Sequence, residues 1–224
     1  MLTLEEIKKN PVIKSCIKLS EKYLDSLGYT DHGSRHIGLV SDRAKSLAKH
    51  IGLTARQQEM AAIASYCHDM GNFLQRTGHC YTGAMIFSQL FLPKAKTSKD
   101  ADEVLLIMQA IANHDENKYE IMNTIGAILI LADKSDVHRS RVKDRDPENI
   151  KKDIHDRVNY SVIDSSFKTI DSKKDIVLKL KIDTKVTGVM EYFEIFNERM
   201  ILCRKAADFL GYNFVLIIND FKLS

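Results

Sequence analysis

The stretch AAIASYCHDMGN, residues 61–72, ends an apolar helical run on a histidine and an aspartate. Thr54 supplies an N-cap for that helix; Met60, Ala61, Ile63, Ala64 and Cys67 line it, and Gly71 stops it. His68 follows Ala61 and Ala64 at i−7 and i−4, so it shares their inner face. Asp69 stands about 100° further round, beside Ala62 and Ser65. A carboxylate in such a place must be neutralised, paired or bound to a cation, because burying it bare is very costly.

Working outward, other histidines and a second acid fall in the same way. A helix opening near Ser34 carries Ile37, Val40, Ala44, Leu47, Ala48 and Ile51 at a 3.6 period and closes at Gly52, with His36 in its first turn. Further helices are predicted at about Cys80 to Leu92, Ala101 to Asn113 and Glu120 to His138. His114 follows Ile107, Ala110 and Ile111, and Asp133 follows Gly126, Leu129 and Ile130 in the most apolar helix of the chain. Nearer the amino terminus, Thr3 with Glu6 reads as a capping box, and Pro11 opens a helix that runs to Leu27, stopped by Gly28. Two acids and several imidazoles converging in one bundle are what a divalent cation needs. Mixed nitrogen and oxygen donors suit Fe, Mn, Co, Ni or Zn better than calcium.

The character changes after Arg141. SRVKDRDPENIKKDIHDR is mixed charge around Pro147, a linker or solvated helix. DIVLKLKIDT alternates, with Ile176, Leu178, Leu180 and Ile182 on one face and Lys179, Lys181 and Asp183 on the other, so it reads as a strand with one wet face. SVIDSSFKTI is a hairpin partner for it, a helix from about Val189 to Leu210 follows, and NFVLII is a last strand. The expectation is a mainly α protein. Its parts are a helical metal-binding domain over 1–141, a charged linker over 142–157 and a small C-terminal α+β (ββαβ) appendage over 158–224.

Composition narrows the function classes. Across 224 residues, 44% apolar and 28% charged is an ordinary globular profile, and only 10 Gly and 3 Pro favour long uninterrupted elements. A net charge of +3 sets up no field that demands a polyanion, and the lysines of DIVLKLKIDT and SRVKDR are interleaved with acids, which argues against nucleic acid. The longest apolar run, Ile125 to Ala132, is far short of the roughly 20 residues a membrane span needs. The amino terminus lacks the apolar stretch of a signal peptide, and the scattered Cys16, Cys67, Cys80 and Cys203 contain no CxxC pair. A cytoplasmic protein without a cysteine metal site is expected. Cys67 and Cys80 read as small buried apolar residues. His32, His50, His138 and His155 read as caps or satisfied structural histidines, the commoner fate of a lone histidine near a helix end.

Taken as a set, SRHIGLV, AAIASYCHDMGN, IANHDE and AILILADKSDVHRSRV resemble the HD superfamily of metal-dependent phosphohydrolases over roughly residues 30–141. The resemblance implies an HD-type helical bundle with His36, His68, Asp69 and Asp133 on a metal. Members with two metals carry further histidines between the His-Asp pair and the last Asp, and His79 and His114 match those places. The implied activity is hydrolysis of a phosphate ester or anhydride of a nucleotide or similar small molecule by metal-activated water. Asp69 would bridge the metals and position the hydroxide, and Lys134 would contact the phosphate. Arg141, Arg139 and Arg76 are candidate phosphate ligands. On a helix continuing past Asp133, Arg141 lies within about 80° of the Asp133 face and Arg139 about 120° off it; a solvated charge run is the alternative for both. Asp115 and Glu116 could orient a ligand histidine, their alternative being an exposed helix end.

The sequence departs from the family in three ways. It has no GYP signature, which argues against cyclic-di-GMP as substrate; His79 follows His68 by only eleven residues; and the appendage is no part of the minimal pattern. The same ligands would also serve two irons that activate oxygen, or a nucleotide-binding regulatory module without turnover, although an intact ligand set speaks against the latter. Exposed faces of the appendage leave a homo-oligomer open.

Overall fold

Caps set the helix starts. In the computed structural model, which describes residues 2–115 and 120–223, the Thr3–Glu6 and Thr54–Gln57 capping boxes are both closed, and they open α1 (Leu4–Lys9) and α4 (Ala55–Cys67). Asn10 caps α2 (Pro11–Ser26) with proline in its first turn, Thr97 caps α6 (Ser98–Ala112) and Asn123 caps α7 (Thr124–Lys134). α3 spans Ser34–His50 and α5 spans His79–Phe91. The expected helices are all present, with ends displaced by a few residues.

Two of these helices are buried nearly all round, α4 over its second half and α7 almost throughout. α4 buries Met60 through Ser65 and Cys67, and α7 buries every residue from Ile125 to Lys134. A helix without a wet face must be wrapped by others. α7 accordingly packs against α3, α4, α6 and α10 (Val189–Phe209), and α4 against α3, α6 and α7. The ends of these two pillars carry His68, Asp69 and Asp133, which is how acids and imidazoles reach the interior.

The chain then forms α8 (Pro147–Lys152), α9 (Ile154–Ser161), β1 (Val162–Ile170), β2 (Asp175–Ile182), α10, β3 (Asn213–Ile218) and the two-residue β4 (Phe221–Lys222). The sheet runs in the order β1-β2-β3-β4, with β2 and β3 parallel across the α10 crossover and the outer pairs antiparallel. Ile176, Leu178, Leu180 and Ile182 are buried while Lys179 and Lys181 stay exposed, as the alternation predicts.

Three segments add to or correct what the sequence suggests, the one at 142–157 by taking the helical alternative to a linker. The last helix of the bundle runs Thr124–Lys134 rather than about 120–138, because Asn123 caps it late and Ser135 ends it; Arg139–Arg141 is a separate 3-10 turn. Residues 142–157 are largely helical: Asp146 and Asp153 cap α8 and α9, and Ile150 and Val158 are buried. The fourth strand, β4, was not foreseen. Buried side chains from Ile7 to Ile218 form one continuous cluster, so the sheet and α10 extend the helical core.

Candidate metal centre

Six side chains from six positions along the chain meet at one end of the bundle. His36 comes from the first turn of α3, His68 from the end of α4, Asp69 from the turn that follows, His79 from the first residue of α5, His114 from just beyond α6, and Asp133 from the last turn of α7. All six are buried, none more than 8% exposed. Their donor atoms fall into overlapping groups that could hold a metal ion: His36, His68 and Asp69; His68, His114 and Asp133; Asp69, His79 and His114.

A glycine makes this convergence possible. Gly71, in the 3-10 turn Met70–Phe73, lies so close to α5 that a Cβ there would stand 2.1 Å from the His79 carbonyl oxygen and 2.5 Å from the Gly83 nitrogen. Backbone approaches backbone with no room for a side chain, which fixes His79 opposite Asp69. Gly78, at φ 76°, supplies the left-handed turn from which α5 starts.

The Asp69 carboxylate faces two ways. Its Oδ2 is 3.4 Å from His68 Nε2 and 3.9 Å from His36 Nε2; its Oδ1 is 3.2 Å from His79 Nε2 and 3.9 Å from His114 Nε2. Asp133 Oδ1 completes the first side at 3.3 Å from His36 Nε2 and 3.6 Å from His68 Nε2. The Asp69 carboxylate thus lies between two sets of Nε2 atoms, which the His68, His114 and Asp133 group also links.

The outer nitrogens fix the tautomers. His36 Nδ1 donates to Asp136 Oδ2 at 2.7 Å, His68 Nδ1 to the Ser65 carbonyl at 2.7 Å, His79 Nδ1 to the Arg76 carbonyl at 3.0 Å and His114 Nδ1 to the Ile111 carbonyl at 2.7 Å. Carbonyls and carboxylates only accept, so all four Nδ1 atoms carry hydrogen and all four Nε2 atoms turn inward. His36 Nε2 and His68 Nε2 are 3.3 Å apart, as are His79 Nε2 and His114 Nε2. Lone pair faces lone pair unless a cation or a proton lies between, and this is the arrangement by which proteins orient metal-binding imidazoles.

The charges agree with that demand. Burial pushes the His68 imidazole down, but the Asp69 and Asp133 carboxylates outweigh it and raise it to about 10. Burial, with His68, His79 and Lys134 nearby, pushes His114 down to about 3. Burial would raise Asp69 and Asp133, yet His68 and Lys134 respectively hold them well below the carboxylate range. Without metal, one proton is thus held on the His68 side of the cluster.

Around the ligands, Lys134 Nζ lies 3.0 Å from Asp133 Oδ2 and 3.9 Å from Asp115 Oδ1, while Asp115 Oδ2 is 3.7 Å from His79 Nδ1. Arg76 donates to Asn72 Oδ1 at 3.1 Å and reaches within 3.9 Å of Asp69. Glu116 lies outside the described residues. Arg141 lines the small cavity over the cluster, but from its 3-10 turn, so the helical-wheel reason for expecting it there does not hold. Its guanidinium donates to the carbonyls of Asp136 at 2.8 Å and Asp31 at 3.0 Å, which ties it into the frame. Arg139 turns away and stacks over the Tyr160 ring at 5.1 Å; it does not line the cavity.

Sequence reading missed four contributors. Asp136 accepts from His36 and from Arg35 Nη2 at 2.8 Å, and Asn72 donates to Asp69 Oδ1 at 2.9 Å. His32, expected as a satisfied histidine, has its Nδ1 2.6 Å from the Thr30 carbonyl and its other ring nitrogen 3.2 Å from Arg141 Nη2, and it also lines the cavity. Arg199 reaches the same cavity from α10. The asparagine and aspartate each stand three residues after a ligand, which was the available signal; Arg199 gave none.

No family model matches the chain. It is similar to "Uncharacterized protein MJ1020" of Methanocaldococcus jannaschii, 24% identical over 156 residues, which cover 61% of this chain and 60% of that protein. The match thus spans less than two thirds of that relative. Among the described residues, no helix is long and apolar enough to cross a membrane.

Proposed function

We propose that the chain is an HD-type metal-dependent phosphohydrolase acting on a small phosphate ester or anhydride, a nucleotide being the first class to try. What carries the proposal is the division of the Asp69 carboxylate between two pairs of inward-facing Nε2 atoms, a donor set that fits two divalent transition metals. His36, His68 and Asp133 would hold one ion, His79 and His114 the other, with Asp69 shared. Fe, Mn, Co, Ni and Zn all suit such donors. Bound there, a pair of divalent cations lowers the pKa of a water and clamps the attacking and leaving oxygens of a phosphate.

The chain's own residues hold that geometry. Asn72 fixes the Asp69 carboxylate by its 2.9 Å hydrogen bond, and Asp136 fixes the His36 ring. Lys134, buried beside Asp133, places an ammonium where a phosphate oxygen would otherwise face Asp133 and Asp115. The four buried free cysteines suit a reducing compartment, and we place the protein in the cytoplasm.

Protein purified without chelator or metal-affinity tag is expected to hold close to two equivalents of transition metal by elemental analysis and to hydrolyse members of a nucleotide and phosphate-ester panel. Asp69→Ala should abolish turnover while the helical core survives. Absence of metal after anaerobic reconstitution, or full activity in Asp69→Ala, would remove the assignment. Oxygen consumption with iron and no hydrolysis would point to an oxygenase.

A further inference from the structure

The two edges of the sheet are built differently. β4 closes one edge with two residues, whereas β1 presents nine at the other, Val162–Ile170, with no proline among them. Among the described residues β2 is the one strand that β1 pairs with, so every second residue of β1 turns its backbone N–H and C=O away from the sheet. Such a row of donors and acceptors is a template for another strand, and proteins blunt it with proline, shortness or charge. Open space lies beside this edge. Phe167, Lys168 and Thr169 are consecutive, so their side chains alternate between faces, yet all three line one cavity of about 260 Å³ whose other wall is α3. Near the two ends of the strand, Ile163 and Ile170 are exposed apolar side chains.

The sequence of β1 says what fits the edge. Across the ladder Asp164, Ser166 and Lys168 stand opposite Lys181, Lys179 and Val177 on one face, and Ser165 and Phe167 stand opposite Leu180 and Leu178 on the other. Two copies of β1 joined about a two-fold axis run antiparallel with like faces together, so the axis must pass through one residue position. With the axis at Ser166, Asp164 meets the partner's Lys168, and Lys168 meets the partner's Asp164. With the axis at Ser165 or Phe167, Asp164 instead meets a serine or an isoleucine. The Ser166 register also overlaps the strand from Val162 to Ile170, and the bulge between Val162 and Asp164 lies outside the five central residues. A lysine alone on an edge repels a second copy; an exposed aspartate four residues before it turns that repulsion into attraction.

We propose that β1 pairs antiparallel with β1 of a second copy about a two-fold axis at Ser166, joining two sheets into one across a homodimer. Asp164 and Lys168 form two equivalent ion pairs at the join, and the space beside Phe167, Lys168 and Thr169 takes side chains of the partner strand. The α+β unit is then the dimerisation element of the protein, whatever chemistry the His and Asp cluster performs.

Sedimentation velocity over a dilution series tests the pairing. The wild type should associate to a dimer. Asp164→Lys sets like charges opposite each other at both equivalent places and should weaken that association about tenfold or more; Lys168→Asp should do the same. The double variant, Asp164→Lys with Lys168→Asp, restores the complement and should recover wild-type association. Both side chains are exposed, so the variants should keep the fold, which circular dichroism checks. Ser166→Cys should form a disulfide-linked dimer on mild oxidation, because facing Cα atoms about 4.5–5.5 Å apart are within disulfide reach. Lys168→Cys should not, since two copies of that position lie four residues apart along the join. The native cysteines are all buried and do not compete. A wild type that is monomeric at every concentration overturns the proposal. So does a dimer that both single reversals leave unchanged, or one that crosslinks through position 168 and not through 166.

Discussion

Asp136→Asn separates the two halves of the proposed centre. The wild-type carboxylate accepts the His36 Nδ1 hydrogen at 2.7 Å and two Arg35 contacts at 2.8 and 3.4 Å. Burial opposes its charge, yet His36 and Arg141 hold it ionised well below the carboxylate range. The amide keeps the shape and one acceptor but removes the charge that makes the His36 ring a stronger donor. Loss of such a supporting partner typically lowers metal affinity about 10- to 100-fold, or about 1.4–2.7 kcal/mol by the tenfold-per-1.4 rule. The effect should fall on one ion only, because His79 and His114 are braced by the Arg76 and Ile111 carbonyls instead. Stepwise removal with a graded series of chelator concentrations, followed by elemental analysis, should show one ion leaving early and the other at the wild-type midpoint. Equal weakening of both ions, or of neither, would refute the division of the site at Asp69. Asp136→Ala is harsher: leaving a buried partner uncompensated costs about 3–5 kcal/mol, less here because Arg35 is 35% exposed.

Four further outcomes follow from the same geometry. Gly71→Ala drives a methyl group into the His79 carbonyl, so it should cost about 1–3 kcal/mol of stability and release the ion held by His79 and His114; a variant that melts like the wild type and keeps both ions would show that the close approach does not matter. Metal affinity should rise about tenfold per pH unit from pH 6 to 9, since the ion must displace the proton that His68 holds up to about 10. The metal-free protein should behave oppositely. The raised His68 contributes stability that is complete below its unfolded pKa of about 6.5 and fades toward 10, so the melting temperature should fall over that range; a flat profile in either titration would contradict the protonated cluster. Leu178→Ala, at a fully buried site on β2, should cost about 2–5 kcal/mol while calorimetry still shows one transition, whereas two separate transitions would contradict the continuous core.

The ligands were legible because each announces itself by conflict. A histidine or acid at the end of an apolar stripe contradicts its surroundings, and His36, His68, Asp69, His114 and Asp133 all do so. His79 sits in a polar loop start and needed the family resemblance. The strands were legible from alternation in residues 175–182, and the cap residues from their types. What stayed hidden depends on chain reversal. Arg199 lies on a helix whose exposed and buried sides are both mixed, and only the docking of α10 against α7 brings it to the cavity. Residues 142–157 stayed open between linker and solvated helix because mixed charge around Pro147 is the signature of either; the structure has two short capped helices there.

The same consideration explains why Arg141 reaches the cavity by a route the helical wheel does not describe. The segment after Asp133 has no glycine or proline to mark a helix stop, and a wheel extended through it puts Arg141 toward the ligand face. The chain stops the helix with a serine instead. Ser135 Oγ donates to the Ala132 carbonyl at 2.6 Å and accepts from Arg43 at 3.0 Å, spending locally the groups that one more turn would engage. The backbone then turns back, and Asp136 arrives under His36. On a continued helix Asp136 would lie about 60° round from Asp133 and nearly one turn further along the axis; the turn after Lys134 instead brings its carboxylate behind His36, 2.7 Å from Nδ1. With the helix ending at Lys134, Asp133 faces the metal donors and Asp136 stands behind His36. The interruption that defeats the helical wheel is also what braces the candidate centre.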